Sequence, residues 1–311
     1  MITYKKHNEI DKEKWDNAVS ESFNGNIYAY SWYLDIVHPY WDALVEDEYN
    51  RIMPLPVSKK WRVKYMLTPF FTQQLGVFSN TILSPAIVLE FINKIPEDIK
   101  LIDLNLNSYN RVANEDVKIT FHKNYLLDLI NEYKVTQKHY SSNLKRNIKK
   151  GEKAGLAVVK NIKPEDVVKL FRTSQGKKIK HWKDKHYLRL QHLIYMAIHK
   201  GKGITYGTFS KENTLLAGAV FFKSHQKLVF IFSGQSNEGK KSGALAFLID
   251  NVIRQFSPGN LILDFEGSDN EGLARFYKGF GAKETYYFAL KKNELPLPYA
   301  LMFKLKNKYS F

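Results

Sequence analysis

The sequence predicts a mixed α/β fold, of the α+β type with a mixed sheet, built from two tandem copies of one unit. Three pairs of similar segments support this prediction, and within each pair the second segment follows the first by about 160 residues. The pairs are residues 42–57 with 206–222, residues 65–68 with 228–233, and residues 82–107 with 242–268. Because the three pairs occur in the same order in both halves, we interpret them as an internal repeat.

The elements of the repeat follow from the apolar pattern of each segment. Residues 42–57 and 206–222 each contain two strand-like runs separated by a polar turn, which predicts a β-hairpin. The next pair supplies a third strand. The last pair combines a helix-period apolar stretch, a turn with proline, and a short strand centred on Asp103 or Asp264. Each half is therefore predicted to be a layer of strands covered by helices.

The predicted boundary between the halves lies at residues 131–137, so that the two domains cover residues 1–133 and 134–311. A strongly basic segment follows the boundary, and its pattern predicts a helix over residues 140–156. Ser141, Ser142 or Asn143 can cap the first turn of this helix, and Gly155 suits the position after its last turn.

The composition is that of a folded and strongly basic chain. Hydrophobic residues make up 44% of the 311 residues and charged residues 25%, which is sufficient for a buried core. The formal net charge of +16 favours an anionic partner, such as a nucleotide-bearing cofactor, RNA, a nucleotide sugar or an acidic membrane surface. Lysine also serves simply to keep proteins in solution. The chain has no cysteine, which excludes disulfides, thiolate nucleophiles and cysteine-bound metals, and we expect no metal site.

No segment has the pattern of a secretory signal or of a transmembrane helix. Residues 1–15 are polar, and the apolar run at residues 215–222 is far shorter than the roughly 20 residues that span a bilayer. We therefore expect a cytoplasmic protein.

The most informative segment is residues 261–290, LILDFEGSDNEGLARFYKGFGAKETYYFAL. Its pattern predicts a strand at 261–265, a polar loop at 266–272, a short helix at 273–278, a glycine turn, and a strand at 285–290. The spacing of Asn270, Phe276, Tyr277 and Gly281 resembles the last third of the GNAT superfamily of acyl-CoA-dependent N-acyltransferases.

Three further features resemble the Fem-type branch, double-domain enzymes that add aminoacyl groups to cell-wall precursors. Ala282 replaces the phenylalanine that usually follows the glycine, and Phe280 precedes it. The basic segment after the boundary and the repeat itself are also similar to that branch. The resemblance implies two tandem GNAT-like domains, with the acceptor on the first and with donor binding and catalysis on the second.

One residue bears on the identity of the donor. Fem-type enzymes carry a lysine directly after the phenylalanine of this helix, where it helps to position a tRNA-borne donor. Here Tyr277 stands at that place and Lys278 follows it. A tyrosine there is the residue with which CoA-dependent GNAT enzymes protonate the departing thiolate. The resemblance therefore implies acetyl-CoA or another acyl-CoA as donor.

The resemblance places the donor pyrophosphate at residues 235–244, QSNEGKKSGA, before a helix N-terminus. Glycines there would let the backbone approach phosphate and lysines would add charge, although a solvated loop has the same composition. The predicted cofactor-binding residues are Gln235, Gly239, Lys240, Lys241, Ser242, Gly243, Ala244, Asn270 and Lys278.

Three residues are candidates for the catalytic proton transfers. The Tyr277 phenol, with an ordinary pKa of about 10, is a suitable acid for a departing thiolate, although it could equally be a packed helical aromatic. Asp264 and Glu266 are two residues apart at a strand end, so both point to one face. Either carboxylate could accept a proton from the amine, directly or through water. A carboxylate at a strand end also often caps the following turn.

These observations lead to one preferred function and two alternatives. We expect an N-acyltransferase that moves an acyl group, in the first place acetyl, from acyl-CoA to an amine. The first alternative is a Fem-type aminoacyl-tRNA-dependent transferase acting on a cell-wall precursor or peptide. The second is a non-catalytic binder of an anionic partner. The residues that could contact tRNA or another polyanion, or form an ordinary solvated helix face, are Lys145, Arg146, Lys149, Lys150 and Lys153.

Overall fold

A computed structural model describes residues 1–112, 117–179, 182–267, 269–296 and 299. The chain divides into two compact units, residues 1–122 with 286–311 and residues 123–285. This division differs from residues 1–133 and 134–311 because two strands carry chain segments across the predicted boundary. Residues 126–128 pair with 262–264, which places the 123–133 segment in the second unit, and residues 289–293 pair with 101–105 of the first.

The elements that precede the second unit are β1 (Ile2–Lys5), α1 (Lys12–Glu21), α2 (Ser31–Val37), β2 (Asp42–Glu46), β3 (Arg51–Leu55), β4 (Val57–Lys60), β5 (Val63–Leu67), β6 (Phe78–Ser79), α3 (Pro85–Asn93) and β7 (Ile99–Asn105). The remaining elements are β8 (Ile119–Asp128), α4 (Tyr133–Lys138), α5 (Ser142–Lys153), β9 (Ala157–Lys160), α6 (Pro164–Thr173), α7 (Asp184–His199), β10 (Gly203–Phe209), β11 (Leu215–Ser224), β12 (Lys227–Gln235), α8 (Asn237–Ser242), α9 (Ala244–Phe256), β13 (Ile262–Asp264), α10 (Glu271–Gly279) and β14 (Lys283–Asn293). The predicted mixed α/β class is confirmed.

The first unit contains two sets of neighbouring strands. One has the order β1-β2-β3-β6 and is antiparallel, and the other has the order β4-β5-β7-β14 with β5 and β7 parallel. The predicted hairpin over residues 42–57 is confirmed as β2 and β3. Its core includes Trp15, Tyr33 and Trp41, each fully buried. These three aromatic side chains therefore belong to the core of the first unit.

The second unit has a mixed sheet of order β8-β13-β12-β11-β10-β9. The hairpin predicted over residues 206–222 is confirmed as β10 and β11. One face of the sheet shares a core cluster with α5, α9 and α10. On the other face α6 packs against glycines, since a Cβ at Gly234 would lie 2.4 Å from the backbone nitrogen of Phe171. The sheet therefore has helices on both faces.

Helix α5 confirms the predicted basic helix and its caps. The Ser141 hydroxyl accepts a hydrogen bond from the Leu144 backbone N–H, and Gly155 follows the last turn with a φ of +64°. No helix in the described part of the chain combines the length and apolar character needed to cross a membrane.

Candidate functional site

The second unit contains a cavity of about 230 Å³ next to β12. It is lined by Asn147 of α5, by Phe230, Ser233 and Gln235 of β12, by Lys240 of α8, by Gly243, Leu245 and Ala246 at the start of α9, and by Leu273, Phe276 and Tyr277 of α10. Four predicted site residues thus meet there: Gln235, Lys240, Gly243 and Tyr277.

The cavity lies where β12 loses its neighbour. The parallel pairing of β12 with β13 covers only Lys227–Val229, whereas β12 continues to Gln235. The residues of β12 that line the cavity, from Phe230 onward, all belong to this continuation. In the described residues, the part of β12 that lines the cavity is therefore not paired with β13.

A second cavity, of about 270 Å³, lies in the first unit and contains none of the predicted site residues. Its walls are mostly polar and include the exposed ion pair between Lys14 and Glu48. Its one buried phenol, Tyr49, already accepts a hydrogen bond from the Asp11 backbone N–H at 2.8 Å, so we place the chemistry at the cavity of the second unit.

Tyr277 is held in the cavity wall by aromatic packing. Its side chain is 7% exposed and stacks on Phe265 with ring centroids 4.8 Å apart, while the Phe230 ring meets it edge-on at 6.4 Å. Among the described residues its hydroxyl makes no hydrogen bond. Burial raises the pKa of the Tyr277 phenol, and the Glu266 carboxylate raises this pKa further. The phenol is therefore a neutral proton donor at the edge of the cavity.

The two candidate bases have different environments. Asp264 is 4% exposed, accepts hydrogen bonds from Asn124 Nδ2 and the Glu266 backbone N–H, each at 3.0 Å, and pairs with Lys227 Nζ at 3.3 Å. These contacts hold the end of β13, so its oxygens are already engaged. Glu266 is half-buried in the left-handed region at φ +57°, and its charge acts on Tyr277. Neither carboxylate is among the residues that line the cavity.

The predicted phosphate loop is largely helical. Residues 237–242 form α8, which is capped by the Ser236 hydroxyl accepting from the Gly239 backbone N–H at 2.9 Å. A Cβ on Gly239 would lie 2.3 Å from the Leu216 carbonyl oxygen, so close packing of α8 on β11 requires this glycine. Lys240 points to the cavity. The other predicted residues of the segment, Lys241, Ser242 and Ala244, are outside the lining.

Gly243 brings the start of α9 to the cavity wall. It adopts the left-handed conformation with φ +74°, and a Cβ there would lie 2.3 Å from the carbonyl oxygen of Asn147 on α5. No side chain in the described part of the chain caps the N-terminus of α9, and Leu245 and Ala246 of its first turn line the cavity. The first backbone N–H groups of a helix have no partners within the helix, so this terminus can bind an anion.

Asn270 directly precedes α10 and Lys278 lies on it, and both are outside the cavity lining. The Asn270 side-chain oxygen accepts from the backbone N–H groups of Gly272 and Leu273, at 2.9 and 3.2 Å. Asn270 therefore caps α10, which begins at Glu271, two residues before the predicted start. Lys278 forms an ion pair with Glu284 at 2.7 Å.

Sequence reasoning missed several lining residues, and Asn147 is the most instructive. It lies three residues after Leu144 and four before Gly151, both buried, so the helical period places it on the inner side of α5. A polar residue in an apolar helix stripe was the available signal. Phe230 and Ser233 gave no such signal in the sequence, because they are ordinary residues of a core strand.

The five basic residues of α5 are exposed. In the described part of the chain, none of them forms an ion pair with a carboxylate, and Lys145 Nζ donates to the Lys138 carbonyl at 3.2 Å. They form an unneutralised positive face on the helix that also contributes Asn147 to the cavity.

A buried carboxylate, Asp250, anchors the middle of α9 through hydrogen bonds. Asp250 is fully buried and accepts the Tyr133 hydroxyl on both carboxylate oxygens, at 2.8 and 3.0 Å. Arg254 lies one turn along, with its guanidinium 3.5 Å from the carboxylate. Burial raises the pKa of Asp250, while Tyr133 and Arg254 act in the opposite direction.

Replacing Asp250 is expected to destabilise the second unit. Asp250→Ala leaves the Tyr133 hydroxyl without its acceptor and should lower the free energy of unfolding by about 2–3 kcal/mol, whereas Asp250→Asn keeps an acceptor and should cost about 1 kcal/mol. Because burial raises the pKa of Asp250 in the folded state, the wild-type protein should lose stability as the pH rises above about 4, where this carboxyl ionises in the unfolded chain. Asp250→Asn should remove this part of the pH dependence of stability. Urea unfolding at several pH values measures both effects. Equal stability of Asp250→Ala and wild type would contradict a structural role for the network.

Comparisons with known proteins agree with this architecture. FemX is 11% identical over 93% of this chain and 96% of the compared structure, with a TM-score of 0.65. L-PGS from Bacillus licheniformis is 12% identical over 94% of this chain and 95% of that one, with a TM-score of 0.56. The C-terminal domain assigned to a lysylphosphatidylglycerol synthetase of Agrobacterium fabrum is 11% identical over 94% and 95%, with a TM-score of 0.54.

Neither a scan against protein-family models nor a search of curated proteins gave a match. At these identities the structural likeness concerns the fold. It extends over nearly the whole chain, in agreement with the resemblance seen in residues 261–290. The chain therefore shares the fold of FemX and of L-PGS.

Proposed function

We propose that the chain is an acyltransferase that moves an acyl group, in the first place acetyl, from acyl-CoA to an amine. The observation that carries the proposal is the position of the Tyr277 side chain. It lies in the wall of a cavity that also receives the N-terminus of α9 and the side chain of Lys240. A proton donor and an anion-binding helix end are the two features that a thioester donor requires.

Tyr277 would act on the leaving group. The neutral amine attacks the thioester carbonyl, and the carbon–sulfur bond of the tetrahedral intermediate then breaks. The buried phenol donates a hydrogen bond to the departing thiolate and passes its proton to the sulfur. The raised pKa keeps the phenol protonated at neutral pH and makes it a weaker acid than an ordinary tyrosine, so the phenolate left after transfer would be reprotonated by the proton that the amine loses. Glu266 would receive the proton that the amine loses, directly or through water.

The donor would be held by backbone groups. The uncapped N-terminus of α9 and the Lys240 ammonium suit a pyrophosphate. The free stretch of β12 beyond Val229 suits an amide-containing chain such as pantetheine, which can add to a strand edge through backbone hydrogen bonds.

The cavity lining favours a neutral acyl group over an aminoacyl group. Its described residues include Lys240 and no carboxylate. An aminoacyl group would bring an ammonium beside Lys240 with no carboxylate in the lining itself, which makes its desolvation more costly than that of a neutral acyl group. Phe230, Leu245 and Phe276 offer apolar contact to a small acyl chain.

The aminoacyl-tRNA alternative rests on the exposed cations of α5, which carry no ion pairs in the described residues. They begin beside the cavity and could follow a phosphate backbone. This alternative expects binding that weakens steeply with salt and depends on Lys145, Lys149 and Lys153. Contacts to phosphate contribute to affinity in this salt-dependent way whatever the base sequence of the nucleic acid.

A thermal-shift titration with acetyl-CoA, free CoA and desulfo-CoA tests the proposal. A ligand at a hundredfold excess over its dissociation constant adds about 2.7 kcal/mol, which raises the melting temperature of a unit of this size by several degrees. Lys240→Gln should weaken CoA binding about tenfold by removing one charged contact. Lys241→Gln, which changes the neighbouring lysine outside the cavity lining, is the matched control and should leave binding unchanged.

Two outcomes would overturn the acyl-CoA proposal. One is the absence of stabilisation by every CoA form together with stabilisation by aminoacyl-tRNA, which would favour the Fem-type alternative. The other is binding of polyanions without transfer to any amine acceptor, which would favour a non-catalytic binder.

A further inference from the structure

The turn between β4 and β5 has an unusual sequence for its conformation. Trp61 and Arg62 are its two central residues, and their φ angles are +47° and +66°. Positive φ at both positions is the conformation of a type I′ turn, which strongly prefers Asn-Gly or Asp-Gly. Bulky side chains in this region are strained. The hairpin therefore keeps a tryptophan and an arginine where folding alone would select against them.

The second unit provides an internal comparison. The turn between β11 and β12 places His225 and Gln226 at φ +47° and +56°, so it has the same form. The conformation is thus set by the two-residue connection in both hairpins. What distinguishes the β4–β5 turn is the chemistry of the side chains that it presents.

These side chains combine an aromatic ring with positive charge. The Trp61 side chain is 46% exposed, and Lys60 Nζ lies 4.1 Å from its ring centroid. Lys59 and Arg62 are exposed on the same hairpin. Among the cations of this hairpin, and counting only described residues as partners, Lys64 alone forms an ion pair with a carboxylate, that of Asp98. Within the described residues, the tip carries three cations and no neutralising acid.

The chain returns to this tip near its end. The ring of Tyr299 lies 6.4 Å from that of Trp61. The sequence that follows, residues 300–311, contains three lysines, several apolar and aromatic residues, and no acidic residue. Tyr299 therefore adds a second aromatic ring beside Trp61.

We propose that the β4–β5 tip docks on an anionic membrane surface. Tryptophan is enriched at membrane–water interfaces because one part of its ring is apolar and the other polar. Each lysine or arginine near an anionic surface strengthens attachment about fivefold. The net charge of +16 adds long-range attraction. This surface association is separate from acyl transfer, and neither depends on the other.

A nucleic acid is the less suitable partner for this tip. Proteins that bind single strands stack successive bases on a series of aromatic rings along a basic groove. Here one exposed tryptophan stands at a two-residue turn on an edge strand, β4. Such a tip presents a single aromatic ring rather than a row of rings along a groove.

The test is co-sedimentation with phosphatidylcholine vesicles, with and without phosphatidylglycerol, at low and moderate salt. We expect binding only to the anionic vesicles. The double variant Trp61→Asn with Arg62→Gly installs the residues that the turn prefers, so it should raise the melting temperature by a few degrees. The same variant should weaken vesicle binding at least about tenfold. A gain in stability with a loss of binding excludes misfolding as the cause.

Two control variants define what would overturn the proposal. His225→Asn with Gln226→Gly makes the equivalent change at the β11–β12 turn and should leave vesicle binding intact. Lys145→Gln with Lys149→Gln and Lys153→Gln removes charge from α5. If either control weakens binding as much as the tip variant, the tip is not the docking site. Tip-dependent binding of a single-stranded oligonucleotide without vesicle binding would assign the tip to nucleic acid instead.

Discussion

Replacing Tyr277 by phenylalanine is expected to lower kcat for acyl transfer by a factor of about 10²–10⁴, the usual contribution of a positioned general acid. The ring would keep its stacking on Phe265, so stability and CoA binding should change little. Because burial raises the pKa of Tyr277, wild-type activity should show no loss from phenol ionisation up to about pH 10. Steady-state rates with acetyl-CoA and an amine acceptor, measured across pH, test both statements.

Tyr125→Phe is the matched control for this variant. Tyr125 belongs to the same aromatic cluster, with its ring 6.0 Å from that of Tyr277, but its hydroxyl donates to Glu284 and it lies outside the cavity lining. It should alter stability rather than catalysis. If Tyr277→Phe retains full kcat, Tyr277 is a packed aromatic residue and the proton comes from another source.

Gly243→Ala is expected to have the largest effect on stability among single changes at the site. The left-handed φ of +74° disfavours alanine, and the new Cβ would lie 2.3 Å from the Asn147 carbonyl oxygen, so α9 and α5 must separate. Together the backbone strain and the steric clash should lower the free energy of unfolding by about 2–4 kcal/mol. The shift of the α9 N-terminus should also weaken CoA binding, which calorimetry on the folded fraction measures.

Gly201→Ala separates the two causes. Gly201 has a similar φ of +68°, but a Cβ there meets nothing within 4 Å, so only the conformational cost of about 1 kcal/mol remains. The difference between the two variants in urea unfolding isolates the contact with Asn147. Equal destabilisation would show that the close approach of α9 and α5 contributes nothing.

Local patterns predicted most of the secondary structure. Alternation and helical period placed both hairpins and α5, and Ser141 and Gly155 marked the ends of that helix. These signals are local because a cap or an apolar stripe involves residues within a few turns of one another. Tyr277 was also predicted from its own segment, and it lies in the cavity wall. Its catalytic role remains a prediction.

The sequence by itself determined the mixed α/β class, the hairpins, the capped basic helix and the motif around Tyr277. Only the tertiary structure decided which of the candidate residues meet. Asp264 accepts a hydrogen bond from Asn124, 140 residues earlier in the chain, so its oxygens hold the end of β13. Asn147 reaches the cavity because Gly243 lets α9 approach α5. Such contacts join segments far apart in the chain, and their formation depends on the packing of complete elements rather than on any local pattern.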